Sequence, residues 1–234
     1  MSDPTAEPLQ LVIASANRHK AAEIRAIVDD WLRATTDPLP IELLDRPAGV
    51  PDVEETGSTL EENARLKARA LASATGIVAL ADDTGLEVAA LGGAPGVRSA
   101  RYAGPEAIAA DNVAKLLAAM DALEQCGERA ARFRTVMLVA FPDGRELSSE
   151  GVVEGSIALE PRGDAGFGYD PLFVPEGCGG ATFAELAPSE KDAVSHRGRA
   201  LRALLDELLA RRAGLERLPR SRERGPDAAP GLAC

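Results

Sequence analysis

Short apolar runs alternate with stretches of helical periodicity in the first part of this chain. Residues 9–15 (LQLVIAS) form an apolar run that is typical of a strand. In residues 16–34 apolar side chains recur every three or four positions, which predicts an amphipathic helix. Residues 40–45 (PIELLD) are a candidate second strand. The chain is therefore predicted to begin with a strand, a tight turn, a helix and a further strand.

A second helix, with its own start and stop signals, is predicted over residues 57–76. Ser58 and Glu61 are a possible capping box, and Gly76 is a candidate C-cap because glycine readily adopts the left-handed conformation. The next segment, residues 77–83 (IVALADD), predicts a buried strand that ends in two acids. The first part of the chain thus alternates strand and helix.

The second part of the chain adds a hairpin to this alternation. The segment PDGR has a turn signature and lies between two runs with strand character, so we expect a β-hairpin. Together with this hairpin, the second part of the chain is predicted to contain a loop rich in glycine and proline, two helices and a short strand. These elements are the loop at 91–104, a helix at 105–127, the hairpin at 133–157, a strand at 170–174 and a last helix at 189–211.

Strands that alternate with helices around one hairpin predict an α/β fold with a β-sheet of mixed direction. A length of 234 residues fits one large domain or two small ones, and we expect a single domain over residues 9–211. Residues 1–8 are polar and are expected to form a flexible stub. Residues 212–234 are charged, rich in proline and glycine and without periodicity, which is typical of a disordered tail.

The composition narrows the classes of function. The net charge is −11 at pH 7, so the overall field repels polyanions and we expect no nucleic-acid partner. A small anionic substrate remains compatible if basic groups converge locally. The three cysteines are far apart and form no CxxC pair, which argues against a zinc site or a disulfide framework. Without a secretory signal or an apolar run near ~20 residues, we expect a cytoplasmic protein with no membrane partner.

The segment SANRHK (residues 15–20) places polar groups where the first strand passes into the first helix. Asn17 is a candidate N-cap, and the free N–H groups at a helix start attract anions. Ser15 adds a hydroxyl, and Lys20 adds a positive charge one turn into the helix. This set could hold phosphates, although it lacks the P-loop pattern. The alternative is an ordinary capped helix with a solvated lysine.

Two further segments, VEETG (residues 53–57) and ADDTG (residues 81–85), each place adjacent acids beside a Thr-Gly turn. Neighbouring side chains of a strand point to opposite faces, so only one acid of each pair can face a given cleft. Carboxylates from two segments that meet at one point repel each other unless a cation lies between them. Hard oxygen ligands with few histidines or cysteines favour Mg²⁺. The alternative is two acidic turns that cap nearby N–H groups.

The segment GFGYDPLFVP (residues 166–175) concentrates aromatic residues in a chain that has few of them. The glycines beside Phe167 leave its ring face uncovered, and nucleobases stack on such faces. Phe167 is therefore a candidate platform for one base, and a core-filling side chain is the alternative. Lys191, His196 and Arg197 lie at the start of the last predicted helix, where a solvated helix face is the alternative for the two cations.

Four segments occur in order over residues 11–209 and together resemble the motifs of one family. They are SANRHKAAE, ADDTGLEV continuing into GGAPGVRSARYAG, GFGYDPLF, and AELAPSEKDAVSHRGRAL. The family they resemble is that of the inosine/xanthosine triphosphate pyrophosphatases, which remove deaminated purine nucleoside triphosphates from the nucleotide pool. The resemblance implies a long central mixed β-sheet with helices in two lobes around a central cleft. It also implies a homodimer, a requirement for Mg²⁺, and release of pyrophosphate.

The resemblance implies roles for individual residues. Glu55 and Asp83 match metal-binding acids, and Asp83 also matches the proton acceptor. A carboxylate that donates to Mg²⁺ is a poorer base, so Asp82 or a second metal ion remains an alternative acceptor. Thr84 retains a hydroxyl where many members carry serine. The residues that match phosphate-binding positions are Ser15, Asn17, Lys20 and Lys67. The residues that match base-binding positions are Phe167, Gly168, Tyr169, Asp170, Lys191, His196 and Arg197.

The implied substrates are ITP, dITP and XTP. Their bases present an oxygen at C6, where adenine presents an amino group. Arginine carries only donors, so Arg197 could pair with O6 and would oppose the amino group of adenine. GTP also carries O6, so Arg197 does not account for its rejection. The alternatives are a pyrophosphatase for other modified bases, a phosphatase that releases orthophosphate, and a nucleotide-binding module without catalysis.

Overall fold

Residues 7–123 and 129–212 are described by a computed structural model of the protein. Within these ranges the chain forms strands, α-helices and two 3-10 turns. The strands are β1 (Leu9–Ile13), β2 (Ile41–Leu44), β3 (Val78–Val88), β4 (Pro95–Gly96), β5 (Ala130–Ala140), β6 (Glu146–Ile157) and β7 (Phe173–Pro175). The helices are α1 (Arg18–Ala34), α2 (Leu60–Thr75), α3 (Ala109–Asp121), α4 (Pro188–Val194) and α5 (His196–Ala210), and the turns are Ala89–Leu91 and Ser99–Arg101.

The strands form one mixed sheet in the order β2-β1-β3-β5-β6-β7, with the short β4 paired to β3. Strand β1 runs parallel to both of its neighbours, β2 and β3. From β3 onward each strand is antiparallel to the next, and β5 and β6 form the predicted hairpin around the PDGR turn. The predicted mixed α/β fold is confirmed.

Three long strands, β3, β5 and β6, run through two lobes of the protein. In the first lobe α1 and α5 cover one face of the sheet over Leu80 and Met137, and α2 covers the other face over Ala79 and Leu138. In the second lobe α3 and the chain around β7 pack on a separate apolar core that includes Phe133. Because the two cores occupy opposite ends of the long strands, the polar middle of β3 lies between the lobes.

The predicted end of β3 is wrong. The strand does not stop at Asp82 and Asp83 but continues to Val88. Leu86 and Val88 are fully buried in the core of the second lobe, and this burial carries the strand past its acids. The two carboxylates therefore lie in the middle of a long strand, where its alternation holds them on opposite faces.

The last predicted helix is divided in two. Ser195 has an extended backbone between α4 and α5, and its hydroxyl accepts a hydrogen bond from the backbone N–H of Gly198 at 3.0 Å. This N-cap starts α5 one residue before Arg197, which is a site residue. The continuous apolar periodicity of the segment does not show the break.

The N-terminus of α2 begins one residue later than predicted. The capping box is formed by Thr59 and Glu62, not by Ser58 and Glu61. The carboxylate of Glu62 also accepts hydrogen bonds from the backbone and hydroxyl of Ser58, so Ser58 takes part in the cap, whereas Glu61 pairs with Arg65. Gly76 ends the helix in the left-handed conformation, with φ 69° and ψ 12°, as predicted.

Some predictions concern residues beyond the described ranges. Helix α3 begins at Ala109, four residues after its predicted start, and the end predicted at residue 127 lies outside the described residues. The predicted tail lies outside them from residue 213 onward, as do residues 1–6 of the predicted stub. In the part of the chain that is described, no helix has the length and apolar character needed to span a bilayer.

A row of small residues on the sheet supports the start of α5. Thr84 of β3, Thr135 of β5 and Gly151 of β6 are paired side by side across three strands. A Cβ atom on Gly151 would clash with the carbonyl oxygen of His196 and would lie 2.5 Å from the backbone nitrogen of Ala200. The absence of a side chain at residue 151 therefore lets α5 approach the sheet closely.

We expect Gly151→Ala to destabilise the protein by about 1–3 kcal/mol, because the added methyl group must push α5 away from β6. The free energy of unfolding in urea measures this cost. Ser148→Ala, at an exposed position of the same strand, is the control and should change stability little. Equal stabilities of the two variants would contradict the close approach of α5 to Gly151.

Candidate functional site

A cavity of about 360 Å³ opens between the end of β1, the start of α1 and the loop that precedes α2. Several of the predicted site residues line its wall. These are Ser15, Asn17, Lys20, Glu55 and Lys67, and they are joined by Asp82 and Arg46. The cavity thus brings together the predicted phosphate-binding turn and one of the predicted metal-binding acids.

Asn17 caps the first helix at the mouth of this cavity. Its side-chain oxygen accepts hydrogen bonds from the backbone N–H groups of His19 at 2.9 Å and Lys20 at 3.3 Å. Its own N–H donates to the hydroxyl of Ser15 at 3.2 Å. The predicted N-cap is confirmed, and the positive end of the helix dipole faces the cavity. The ammonium of Lys20 lies 3.0 Å from a carboxylate oxygen of Asp82.

The adjacent acids of β3 contact different helices on the two faces of the sheet. Asp82 faces α1 and α5, where its carboxylate contacts Lys20 and Arg197. Asp83 faces α2, where it contacts Lys67. The prediction that only one of these acids can face a given cleft is therefore confirmed by their partners.

Glu55 and Asp83 meet at a single ammonium group. The Nζ atom of Lys67 lies 3.1 Å from Glu55 Oε1 and 2.8 Å from Asp83 Oδ1. Glu55 also accepts a hydrogen bond from Arg101 at 2.9 Å, and Asp83 accepts one from the amide of Asn63 at 3.4 Å. The two predicted metal-binding acids thus come together from segments that are distant in sequence.

The surroundings of these two acids shift their pKa values in opposite directions. Burial raises the pKa of Asp83, and the attraction of Lys67 only partly opposes it. Burial also acts on Glu55, but Lys67 and Arg101 outweigh it and the pKa of Glu55 is lowered. The pKa of Asp82 is lowered well below its ordinary value, because Lys20 and Arg197 outweigh its complete burial. The two neighbouring acids of β3 therefore differ in the direction in which their pKa values are shifted.

A second charged cluster is buried beyond Asp82. Lys191 donates to Asp170 at 2.7 Å and to Glu23 at 2.6 Å. Arg197 donates to the other oxygen of Glu23 and lies 3.3 Å from Asp82. The side chains of Lys191 and Arg197 are 5% and 1% exposed, so neither is the solvated cation that a helix face would give. Buried cations of this kind need paired acids, which this cluster supplies.

Phe167 lies beside this cluster and not in any of the three apolar cores. Its ring is half-buried, and the Lys191 ammonium and the Arg197 guanidinium lie 4.9 and 5.5 Å from the ring centroid. The ring of His19 is stacked on it at 5.5 Å. Asp170 holds the loop by accepting a hydrogen bond from the N–H of Phe167 at 2.7 Å. Phe167 is therefore not the core-filling side chain of the alternative, and its role as a platform for a base stays a prediction.

Other predicted base-binding residues face inward. Tyr169 is packed in the second-lobe core, and its hydroxyl donates to the carbonyl of Ser99 at 2.9 Å. His196 is buried and stacked on Phe133 at 4.5 Å. Thr84 accepts a hydrogen bond from Arg197 at 3.3 Å. The side chains of Tyr169 and His196 therefore support the cluster from the interior, and Gly168 lies at the tip of the loop with φ 64°.

Two residues of the site were missed in the sequence. Glu23 binds both Lys191 and Arg197, and Arg101 binds Glu55. Glu23 lies three residues after Lys20 on α1, and this spacing places both on one helix face. That spacing could have indicated Glu23. Arg101 lies within the segment GGAPGVRSARYAG, which carries part of the resemblance and could have indicated it, although its partner is 46 residues away.

His196 gives the site a pH-dependent contribution to stability. Burial, and then the charges of Arg197, Lys191 and Lys20, hold the pKa of His196 well below its ordinary value, while Asp82 opposes them. The folded protein therefore keeps the ring neutral where the unfolded chain becomes protonated, below about pH 6.5. The unfolded state binds more protons in that range, so acidification favours unfolding.

We expect this one group to remove about 1.4 kcal/mol of stability between pH 7.5 and pH 5.5. His196→Gln lacks the titrating ring, so its free energy of unfolding should fall less over the same interval. Urea unfolding of both proteins at the two pH values measures the difference. An identical pH dependence would mean that His196 takes up a proton in the folded protein.

Comparisons with known proteins agree with this architecture. The profile of the Ham1 family matches residues 11–207. A dITP/XTP pyrophosphatase of Syntrophobacter fumaroxidans is 50% identical over 84% of this chain and 81% of its own length. One from Mycolicibacterium paratuberculosis is 49% identical over 87% of this chain and 98% of its own length.

Solved structures give the same result. A HAM1 protein from Coxiella burnetii is 45% identical, with a TM-score of 0.74 over 86% of this chain and 98% of its own. A nucleoside-triphosphatase, or dITP/XTP pyrophosphatase, from Mycobacterium abscessus is 44% identical, with a TM-score of 0.64 over 85% of this chain and 99% of its own. With the family profile matched over nearly all of the described residues, the chain belongs to the Ham1 family.

Proposed function

We propose that this protein is a Mg²⁺-dependent pyrophosphatase that hydrolyses deaminated purine nucleoside triphosphates to the monophosphate and pyrophosphate. The names of its relatives support this activity and its substrates, dITP and XTP. The observation that carries it is the meeting of Glu55, Asp83 and Lys67 beside the capped start of α1. Removal of such nucleotides would cleanse the pool from which nucleic acids are made.

The acids present fit a magnesium ion that arrives with a nucleotide. Mg²⁺ typically takes one or two carboxylates and completes its shell with phosphate oxygens and water. Glu55 and Asp83 supply two carboxylates that face the same point, and the described residues hold no cluster of three or more acidic, histidine or cysteine ligands. When bound, the ion would neutralise phosphate charge and activate a water molecule.

The phosphate chain would lie along the cavity. The N–H groups at the start of α1 and the hydroxyl of Ser15 would bind its oxygens, with Asn17 fixing the geometry of that turn. The ammonium groups of Lys20 and Lys67 would neutralise the departing pyrophosphate. Phosphoryl-type transfer depends mainly on positioning and charge stabilisation, and these groups provide both.

Asp83 would accept the proton of the attacking water. Asp83 faces the point at which Glu55 and Lys67 meet, whereas Asp82 is held on the opposite face of the strand by Lys20 and Arg197. We therefore favour Asp83 over Asp82 as the general base. Asp82 would position Lys20, which would contact the phosphates, and Arg197, which would contact the base.

The base would stack on Phe167 and meet the donors of the buried cluster. Lys191 and Arg197 are fixed by Glu23, Asp170 and Asp82, and both lie close to the ring. Donors held in this way favour the C6 oxygen of hypoxanthine or xanthine and oppose the amino group of adenine. Gly168, Tyr169, His196 and Thr84 would shape this end of the site.

Product analysis tests the proposal. Purified protein is incubated with ITP, dITP, XTP and the four standard ribonucleoside triphosphates, with and without Mg²⁺, and pyrophosphate and orthophosphate are measured separately. We expect pyrophosphate from ITP, dITP and XTP, and much slower release from ATP. Orthophosphate would indicate a phosphatase, a faster modified base would indicate another pyrophosphatase, and binding without turnover would indicate a sensor.

We also propose that the protein is a cytoplasmic homodimer, as the resemblance implies. Its substrates belong to the nucleotide pool, and its composition favours neither a nucleic-acid nor a membrane partner. Light scattering coupled to size exclusion gives the mass directly, for comparison with 24.4 kDa for one chain. A monomeric mass would exclude the dimer and leave the proposed activity unaffected.

A further inference from the structure

The ammonium group of Lys67 occupies the point at which Glu55 and Asp83 meet. It contacts one oxygen of each carboxylate, at 3.1 and 2.8 Å, and its side chain is 16% exposed. A lysine ammonium that donates to two carboxylates carries a positive charge. A divalent ion shared by the two acids would need this same point, and two cations so close together repel each other.

Each carboxylate also accepts a hydrogen bond from a second residue, and neither of these donors lies between the two acids. Glu55 Oε2 accepts from Arg101 at 2.9 Å, and Asp83 Oδ2 accepts from Asn63 at 3.4 Å. Arg101 additionally donates to the backbone carbonyl of Glu55 at 3.2 Å, so it fixes both the side chain and the main chain of that residue. The acids can therefore keep their positions when Lys67 leaves.

The backbone around Arg101 is held in place by hydrogen bonds. It ends the 3-10 turn Ser99–Arg101, in which the Ser99 hydroxyl donates to the carbonyl of Gly96 at 2.6 Å and accepts from the N–H of Leu86 at 2.9 Å. The carbonyl of Ser99 accepts the hydroxyl of Tyr169 at 2.9 Å. By contrast, Lys67 reaches the site on a flexible four-carbon stem.

We propose that Lys67 is an exchangeable counter-ion, which a divalent cation displaces from Glu55 and Asp83, and that Arg101 is the positioning residue that keeps Glu55 in place during the exchange. The inference rests on the proposed function, because it takes these two acids to be the metal site. The released ammonium is then available to the phosphates. The acids are never left without a cation during the exchange, in which a charge of +1 at this point is replaced by a charge of +2.

Binding of Mn²⁺ alone, without nucleotide, tests this division of roles. Lys67→Met and Arg101→Ala each remove one positive charge that contacts Glu55, so charge alone predicts tighter binding in both. We expect opposite results. Lys67→Met should tighten Mn²⁺ binding roughly tenfold or more, because the competing charge is gone. Arg101→Ala should weaken it by about tenfold or more, as loss of an outer-shell partner does. Titration followed by electron paramagnetic resonance gives the dissociation constants.

Matched controls and a rescue separate these effects from general damage. Arg98→Ala, at the exposed position just before the same turn, and Arg69→Ala, on the same helix as Lys67, should leave Mn²⁺ binding unchanged. Arg101→Lys should recover part of the lost affinity. Lys67→Gln replaces Lys67→Met if the latter does not fold. In either variant of Lys67, Mg²⁺ should raise the melting temperature more than in the wild type.

Two results would overturn the inference in an enzyme that releases pyrophosphate. Unchanged or weaker Mn²⁺ binding in the Lys67 variant would show that the ammonium does not compete with the metal. Unchanged or tighter binding in Arg101→Ala would show that Arg101 acts only as a charge. Failure of the proposed function is distinct, because it appears as absence of pyrophosphate release by the wild-type protein.

Discussion

Replacing Asp83 with asparagine is expected to lower kcat on ITP by about 10²–10⁴-fold, the contribution that a positioned general base usually makes. Asparagine has nearly the same shape, so it fills the same space on β3 and can still contact Lys67 and Asn63. It carries no negative charge and cannot accept the proton of water at neutral pH. The variant therefore loses both proposed roles of Asp83 while its packing is retained.

Two comparison variants make this result specific. Glu54→Gln changes the exposed neighbour of Glu55 and should leave kcat unchanged. Asp82→Asn should show a different pattern, with a higher KM and altered preference among bases, because Asp82 holds Lys20 and Arg197. Pyrophosphate release under single-turnover conditions measures the chemical step in each variant. Near-normal turnover by Asp83→Asn would remove Asp83 from both roles.

The parts of this site that depend on local sequence could be predicted. The capped start of α1 follows from a strand, an asparagine and a helical repeat within a dozen residues, and the structure shows that cap. Side chains along a strand point alternately to its two faces, so the sequence alone places Asp82 and Asp83 on opposite faces of the sheet. Strand alternation does not say which acid faces which helix, since that depends on how the helices pack on the sheet.

The parts that depend on distant contacts could not be predicted from residues in this way. Glu23 meets Arg197 across 174 positions of the chain, and Arg101 meets Glu55 across 46. The resemblance supplied Lys191, Arg197 and Asp170 as site residues, but it did not supply Glu23, which binds both cations. Burial also changes the role that a residue can have. The sequence allowed Lys191 and Arg197 to be solvated cations on a helix face, but in the structure both belong to a buried charged cluster.

Arg197 offers the sharpest test of base recognition. Its side chain is 1% exposed and contacts Glu23, Asp82 and Thr84, and the chemistry of its donors is the proposed reason that ATP is rejected. Arg197→Lys keeps the charge but loses the fork that serves several acceptors at once. We expect the ratio of kcat/KM for ITP to that for ATP to fall roughly 10–100-fold, the worth of one charged hydrogen bond.

Arg199→Lys, at an exposed position of the same helix, is the control for this substitution and should keep the wild-type ratio. Pyrophosphate release from ITP and ATP gives both values of kcat/KM. An unchanged ratio in Arg197→Lys would exclude Arg197 from discrimination at C6. A fall in kcat/KM for both nucleotides by the same factor would assign it a general role in binding.

Complete removal of the arginine separates recognition from stability. Arg197→Met leaves the partly buried Glu23 and the buried Asp82 with one partner fewer, and we expect it to cost about 3–5 kcal/mol of folding free energy. Adding Glu23→Gln removes the negative charge that the cluster then has in excess, so the double variant should be more stable than Arg197→Met. Its preference for ITP over ATP should nevertheless stay lost, because the donors for O6 are still missing. Recovery of that preference with stability would mean that Arg197 maintains the fold of the site and does not read the base.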